Sequence, residues 1–484
     1  MMSFDVVVAG CGVAGLSAAV TAAQAGLKVA VLERTSKEER GGQSRYTEAY
    51  LRMKSATEVS NDFETHLVDN MGPYLDPELV NEMTGDPDTW SHATRTLAIP
   101  DHRVVAEFSE NVAPTIAWLE SVGVKFDALP TAFLTKTQPR LLPVGGGRAI
   151  VEALATKAES LGVEFLYNTS AQKLLLDDDG NVTGLRALQK GKGAIKIHGK
   201  VVLASGGFEG NPEMLAKYLG PRSVFLRPIC PGGYVNRGEG IQMALDIGGA
   251  PAGEFGSYHA EPIDPRSGVP EPCIFIFPYG VLVNKEGLRF TDEAPGTVDA
   301  HYEKVTRKIY EQTDGIAYVI LDQRVKDIPN YQLAIRTDQP AIEANTLEEL
   351  ASKLNIPAKT LCETIERYNK GCKGASGYKP LELDGVSTES VTPRKSNWAL
   401  ALDKGPYMAY PIISANVFTF GGLKINEHGQ VLNTDGDPIA NVYAAGETVG
   451  MYYTNYTGAT SVLKGLVFGR LSALHIGQQM NSAG

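Results

Sequence analysis

Cysteine is scarce in this 484-residue chain: Cys11, Cys230, Cys273, Cys362 and Cys372 lie scattered, with no C-x-x-C pair. An odd, dispersed set excludes a disulfide framework and any metal-type ligand spacing, and it fits a reducing compartment. Basic residues are in deficit, 45 against 56 acidic ones, for a net charge of −11. That balance argues against a nucleic-acid partner, which needs a basic face, while leaving room for a local patch that binds a small anion. Long apolar runs are missing as well, since nothing approaches the ~18 residues of a membrane-spanning helix. The N-terminus, "MMSFDVVVAGCGVAG", enters a strand at once, without the basic start of a signal peptide. A cytoplasmic protein without a transmembrane segment is expected. No internal repeat or low-complexity tract is present. The length implies two or three domains, and the 51 glycines suit an α/β protein with many tight turns.

What is present begins with "FDVVVAG", a short β-branched run of the kind that forms a buried parallel strand. It leads into Gly10-Cys11-Gly12-Val13-Ala14-Gly15, then into "LSAAVTAAQAG" with helical spacing, then into a second strand, "LKVAVLE". Glu33 closes that strand, with Arg34 beside it, about 20 residues after the glycines, where a carboxylate accepts hydrogen bonds from a ribose. The glycines let backbone approach a pyrophosphate, and the helix N-terminus supplies N–H donors and a favourable dipole. This βαβ unit predicts a dinucleotide site but does not by itself separate FAD from NAD.

Other segments do. "GGQSR" places Gly41, Gly42, Gln43 and Ser44 just after the second strand, and "VVLASGGF" ends a strand at Ala204, Ser205 and Gly206. Near the C-terminus "NVYAAGETVG" puts Gly446 and Glu447 after another strand. Thr460, Ser461, Val462 and Leu463 then open a helix, with the two hydroxyls as expected caps. A long cofactor lying across a domain needs both chain ends. The N-terminus of this second helix would stabilise the electron-rich edge of a reduced flavin.

Together with "RGGQSRYT", "LPVGGG", "NRGEGIQMALDIGGA", "VNKEGLRFTDE", "FTFGGLKIN" and "SVLKGLVFGR", these segments resemble the flavoprotein family of fumarate reductase and succinate dehydrogenase. That family includes 3-ketosteroid dehydrogenases and tricarballylate dehydrogenase; "RGGQSRYTEAYLR" and "LLPVGGG" look most like the tricarballylate branch. The resemblance implies an α/β fold: a Rossmann-type FAD-binding domain from residues 1–255 and 416–484, with an inserted α+β substrate-capping domain at 256–415. Residues 50–140 read as a mainly helical insertion flanking the FAD domain. The histidine that carries covalent flavin in succinate dehydrogenases has no counterpart in "GGQSRYTEA", so the FAD is expected to be non-covalent. Iron–sulfur-type cysteines are missing too, so electrons would pass to oxygen, a quinone or a separate redox protein.

The chain departs from a fumarate reductase where the chemistry lies. Family positions that carry a proton-donating arginine, a clamping histidine and a clamping arginine fall here on Thr297, on Val417 or Phe418, and on Tyr456. Loss of a guanidinium removes a bidentate, permanently charged carboxylate partner. Tyr456 matches the loop tyrosine that holds the ketone oxygen in ketosteroid dehydrogenases. His259, in "SYHAEP", matches one family histidine.

The chemistry implied is removal of hydrogen from adjacent carbons: a base takes the proton beside a carbonyl, and hydride leaves to flavin N5. A phenol suits the developing enolate, since its pKa of about 10 lies near that of an enol. Tyr456 is assigned that role, helped by backbone N–H groups near Thr460. Tyr452, Tyr453, Tyr407 and Tyr279 remain open as bases, and core packing is the competing reading for Tyr452 and Tyr453. Arg140 is a candidate carboxylate clamp against a surface ion pair, and His259 a candidate site group against an interface histidine. Arg45 is expected to order the loop near flavin, Arg289 to pair with Asp292 or Glu293, and Asp177–Asp179 to form a solvated hairpin turn. The leading substrate is a small cyclic keto acid such as an oxocyclohexanecarboxylate. Tricarballylate and a steroid ketone are the alternatives, and a non-catalytic flavin-binding or redox-sensing protein is the reading from another class.

Overall fold

The structure, a computed structural model, describes residues 2–71, 76–100, 102–136 and 138–482. Strand β1 (Met2–Ala9) is the apolar run of the sequence, with Val6, Val7 and Val8 wholly buried. It pairs in parallel with β2 (Val29–Leu32) on one side and β4 (Gly193–Leu203) on the other, so that Val7 lies opposite both Ala30 and Val201. With β3 (Glu164–Leu166) outside β2 and β7 (Pro438–Ala444) outside β4, the parallel order is β7–β4–β1–β2–β3 within an eight-stranded sheet. Both chain ends therefore meet in one sheet.

Helix α1 (Val13–Gln24) crosses from β1 to β2 and is apolar nearly all round, because the C-terminal helix α3 (Ser461–Ser482) packs against it. Their backbones nearly touch: a Cβ at Gly469 would lie 2.3 Å from the Ala14 carbonyl oxygen. Asp177–Asp179 form the exposed turn of the antiparallel hairpin Thr169–Leu176/Val182–Gln189 on β4.

A second, six-stranded sheet is centred on the long strand β6 (Tyr407–Thr419). Strand β5 (Tyr258–Ile263) runs antiparallel to it, His259 opposite Phe418, with a register shift directly after His259. Helix α2 (Val298–Tyr310) packs on β5 and β6 with Tyr302, Val305 and Ile309 inward. Arg289 pairs with Glu293 at 2.7 Å, both buried, while Asp292 instead accepts from Ser396. In the insertion the longest helix, His102–Ser121, buries Val104, Val105, Phe108, Val112, Ile116 and Leu119 at helical spacing. Among the described residues no helix is long and apolar enough to cross a membrane.

Candidate active site

The turn after β1 is shaped by contacts that admit no side chain. Gly10 has φ +114°, and a Cβ there would lie 2.2 Å from the Ala204 oxygen; one on Gly15 would lie 2.0 Å from the Gly10 oxygen. A Cβ on Gly12 would meet only the Ser44 Oγ at 3.3 Å and the Gly41 oxygen at 3.6 Å, so this glycine keeps the mouth of the turn open. Glu33 is fixed at the end of β2: its carboxylate accepts from the Cys11 N–H at 3.2 Å and from the Thr35 N–H at 2.8 Å.

One cleft runs from this turn to the start of α3. It is lined by Gly10 to Ala14, Glu33 and Arg34, Gly41 to Ser44, Ala204 to Gly206, Gly446, Glu447, Ser461 and Val462. Three expected cofactor residues lie behind it instead. Gly15 packs on the Gly10 oxygen, Leu463 is wholly buried, and the Thr460 hydroxyl donates to the Thr457 oxygen at 2.5 Å. Arg45 lies outside the cleft, paired with Glu152 at 2.7 Å.

The cleft fits FAD. Its glycine turn would take a pyrophosphate and Glu33 a ribose, and the far end opens on a helix N-terminus. The Ser205 Oγ, buried in the wall, has no hydrogen-bond partner among the described residues, as a group awaiting a ligand would be.

Sequence reasoning missed other lining groups. Asn236 donates to Glu209 at 2.6 Å and to Glu447 at 3.5 Å, and Gln43 also donates to Glu209. Burial pushes both carboxyls upward; the Glu447 charge adds to the rise at Glu209, while the hydrogen bond with Glu209 holds Glu447 back. Lys464, buried beneath the cleft, donates to the Val449 oxygen at 2.8 Å and stands 4.5 Å over the Tyr452 ring. Desolvation lowers its pKa to about 7. Its signal was a lone lysine in an otherwise apolar helix start.

The tyrosines divide. Tyr456 Oη accepts from the backbone N–H groups of Thr460 and Ser461, each at 3.0 Å, and donates to Ser461 Oγ at 3.0 Å. A phenol, rather than the Thr460 or Ser461 hydroxyl, thus takes the first free N–H groups of α3. Burial raises the Tyr456 pKa, and the bonds from Ser461 and Thr460 with the nearby Arg140 charge hold it back. Its ring centroid lies 4.4 Å from His259, 5.0 Å from Phe418 and 5.2 Å from Tyr452, whose own hydroxyl reaches Thr460 Oγ1 at 2.9 Å. Tyr453 serves elsewhere: its hydroxyl donates to the Ala98 oxygen at 2.5 Å and accepts from the Gly253 N–H at 3.1 Å.

Two guanidinium groups flank the Tyr456 loop. Arg52 donates to the Gly458 oxygen at 3.1 Å and pairs with Asp62 at 2.5 Å. Arg140 donates only to its neighbour's carbonyl, Pro139 O, at 3.1 Å and makes no ion pair with a described residue. Burial and the Arg52 charge depress its pKa. A Cβ on Gly458 would lie 3.8 Å from Arg140 and 4.0 Å from Arg52. His259 is buried on β5, its Nε2 2.8 Å from the hydroxyl of Tyr302, a residue that sequence reasoning did not single out. Thr297 stands at the N-cap of α2.

Residues 5–463 match the family described as FAD binding domain. Vinyl phenol reductase of Lactiplantibacillus plantarum is 25% identical over 523 residues, covering 98% of this chain and 97% of the relative. The 4-oxocyclohexanecarboxylate 2-dehydrogenase of Sinomonas cyclohexanicum is 28% identical over 352 residues, covering 66% of this chain and 58% of the relative. Among solved structures, the 3-ketosteroid-Δ4-(5α)-dehydrogenase of Rhodococcus jostii RHA1 in complex with 4-androstene-3,17-dione superposes with a TM-score of 0.70. It is 26% identical and covers 98% of this chain and 97% of that one. The chain belongs to the FAD-binding flavoprotein family of the fumarate reductases and ketosteroid dehydrogenases, and is an FAD-dependent oxidoreductase.

Proposed function

We propose that this chain acts on CH–CH bonds and desaturates a small cyclic keto acid such as an oxocyclohexanecarboxylate beside its carbonyl. The observation that carries the reading is Arg140, a guanidinium without a carboxylate partner among the described residues, next to the Tyr456 phenol. A keto acid presents a carboxylate to the first and a ketone oxygen to the second. Arg52, committed to Asp62, would fix the Gly458 loop and add charge. Tyr456 would turn its hydroxyl from Ser461 to the substrate oxygen, stabilising the enolate as the proton beside the carbonyl departs. Phe418 and Tyr452 would wall the ring, and His259 would face the substrate. FAD, held non-covalently by the cleft residues, supplies the hydride acceptor. Residues 1–255 with 416–484 would hold it, and 256–415 would cover the substrate, a division that the two separate sheets support.

The similarity to the Sinomonas dehydrogenase supports this substrate class. A tricarboxylate would leave the aromatic walls without a purpose, and a steroid would leave Arg140 without one. A second reading is favoured by the full-length relative: reduction of a vinyl group on a phenol, which the same aromatic walls could seat. An anaerobic screen of flavin absorbance decides between them. Bleaching by 4-oxocyclohexanecarboxylate, and not by tricarballylate or 4-androstene-3,17-dione, is the expected result. Reoxidation of pre-reduced enzyme by a vinyl phenol, with no bleaching by any ketone, would replace the proposal with the second reading.

A further inference from the structure

Desaturation next to a carbonyl needs a base in a sealed site and a way out for the proton. Tyr456 is committed to the oxygen side. The tyrosines named from the sequence are engaged elsewhere: Tyr453 with Ala98 and Gly253, Tyr279 with the Pro380 oxygen at 2.5 Å, Tyr452 with Thr460, and Tyr407 packed on a separate core cluster with Leu350 and Leu361.

We propose that Tyr302 takes the α-proton, with His259 and Glu261 behind it as acceptor and exit. The assignment rests on the desaturase reading above. Tyr302 sits on α2, its ring centroid 5.7 Å from that of His259, which in turn stands 4.4 Å from the ring of Tyr456, the group assigned to the substrate's ketone. Among the described residues its hydroxyl has one hydrogen-bond partner, His259 Nε2, at 2.8 Å. In the proposed resting state the phenol donates to Nε2, and the ring's own proton lies on Nδ1. That nitrogen is buried without a partner among the described residues. Burial and the Arg307 charge lower the His259 pKa, so the imidazole is neutral and free to accept.

The proton balance closes. The C–H bond beside the carbonyl breaks and its proton forms a new O–H on Tyr302, while that residue's own hydrogen passes to Nε2. The electron pair enters the new C=C bond, and the second hydrogen leaves as hydride to FAD, the oxidant the reaction already holds. The imidazolium then gives its Nε2 proton to Glu261 Oε1, 3.8 Å away, a gap that a small carboxylate rotation closes.

Beyond Glu261 the groups lead outward. Cys273 Sγ donates to Glu261 Oε2 at 3.1 Å, and Arg336 bridges Glu271 at 3.5 Å and Glu48 at 2.6 Å. Side-chain exposure rises from 5% at His259 to 18% at Glu261 and 35% at Glu48. Three carboxyls share one guanidinium, so the cluster retains protons near neutrality: Glu261 is pushed up to about 7 and Glu271 to about 8 by burial. Glu303, the other acid near Tyr302, is occupied by Arg307 at 2.9 Å and by the Tyr456 N–H at 3.1 Å.

The test uses FAD-loaded enzyme with 4-oxocyclohexanecarboxylate in D2O without oxygen, following flavin bleaching optically and deuterium entry beside the ketone by NMR. Tyr302→Phe should keep FAD and lose both signals by on the order of 10²-fold, the usual share of a general base. Glu261→Gln should bleach in a single turnover within about threefold of wild type, yet admit deuterium about tenfold more slowly, because the abstracted proton returns before it exchanges. Deuterium entry at the wild-type rate in Tyr302→Phe overturns the base. Wild-type entry in Glu261→Gln overturns the exit. Failure of the wild type itself to bleach overturns the desaturase reading first, and this assignment with it.

Discussion

The hydroxyl of Tyr456 lies 3.0 Å from both the backbone nitrogen and the Oγ of Ser461, the first residue of the C-terminal helix. A loop tyrosine thus closes the end of a helix that forms one wall of the FAD cleft, and the oxygen that the proposal assigns to the substrate's ketone is also a structural cap. Tyr456→Phe should therefore cost about 1 kcal/mol of stability, the usual worth of an N-cap. Urea denaturation of the holoenzyme measures it, and an unchanged midpoint would mean that the cap is dispensable.

Arg140→Ala should raise KM for a keto acid by roughly 10- to 100-fold, the equivalent of ~1.5–3 kcal/mol for a charge-assisted bond. Turnover of cyclohexanone, which has no carboxylate, should barely change. Equal losses on both compounds would deny Arg140 a carboxylate.

Gly15→Ala should abolish FAD retention, since its Cβ would lie 2.0 Å from the Gly10 oxygen, which belongs to the turn itself. Gly268→Ala, where nothing lies within 4 Å and φ is not positive, serves as the control for handling. A yellow Gly15→Ala protein would contradict the tight turn.

FAD is expected to leave the protein on acid precipitation, with the yellow colour in the supernatant. A yellow pellet would indicate a covalent bond.

Burial raises Glu261 to about 7, so that it is partly ionised and able to accept a proton near neutrality, and Glu271 to about 8, against about 4.3 for an unconstrained glutamate. Between those limits the native state binds more protons than the unfolded chain, so stability is greatest at the acid end and falls as pH rises toward 8. Glu48 opposes ionisation of this pair, whereas Arg336 favours it at both carboxyls and the Cys273 hydrogen bond favours it at Glu261. The Tm of the wild type should decline from pH 5 to pH 9, and a Glu261→Gln/Glu271→Gln double variant should flatten the profile.

The cradle was legible because its constraints are local. Gly10, Gly12 and Gly15 are set by one turn, Glu33 by the strand that follows, and the carbonyls that forbid a Cβ come with the βαβ unit. Tyr456 was legible from its loop, but its capping of α3 was not, since Thr460 and Ser461 look like ordinary caps. Tyr302 was missed for a different reason. It sits five residues beyond Thr297 on a helix whose inward face is otherwise ordinary, and only the packing of α2 on β5 brings it to His259. Arg52 and Arg140 are far apart in sequence and converge because the backbones of Leu51 and Leu141 pair, which sets both guanidiniums beside Gly458.

The most direct test is the anaerobic rate of flavin bleaching by 4-oxocyclohexanecarboxylate in wild type and in Tyr456→Phe, both FAD-loaded. Rapid bleaching in the wild type, slowed on the order of 10²-fold in the variant as for the loss of one enolate-stabilising donor, is predicted. Equal rates in the two proteins would contradict the role given to this phenol.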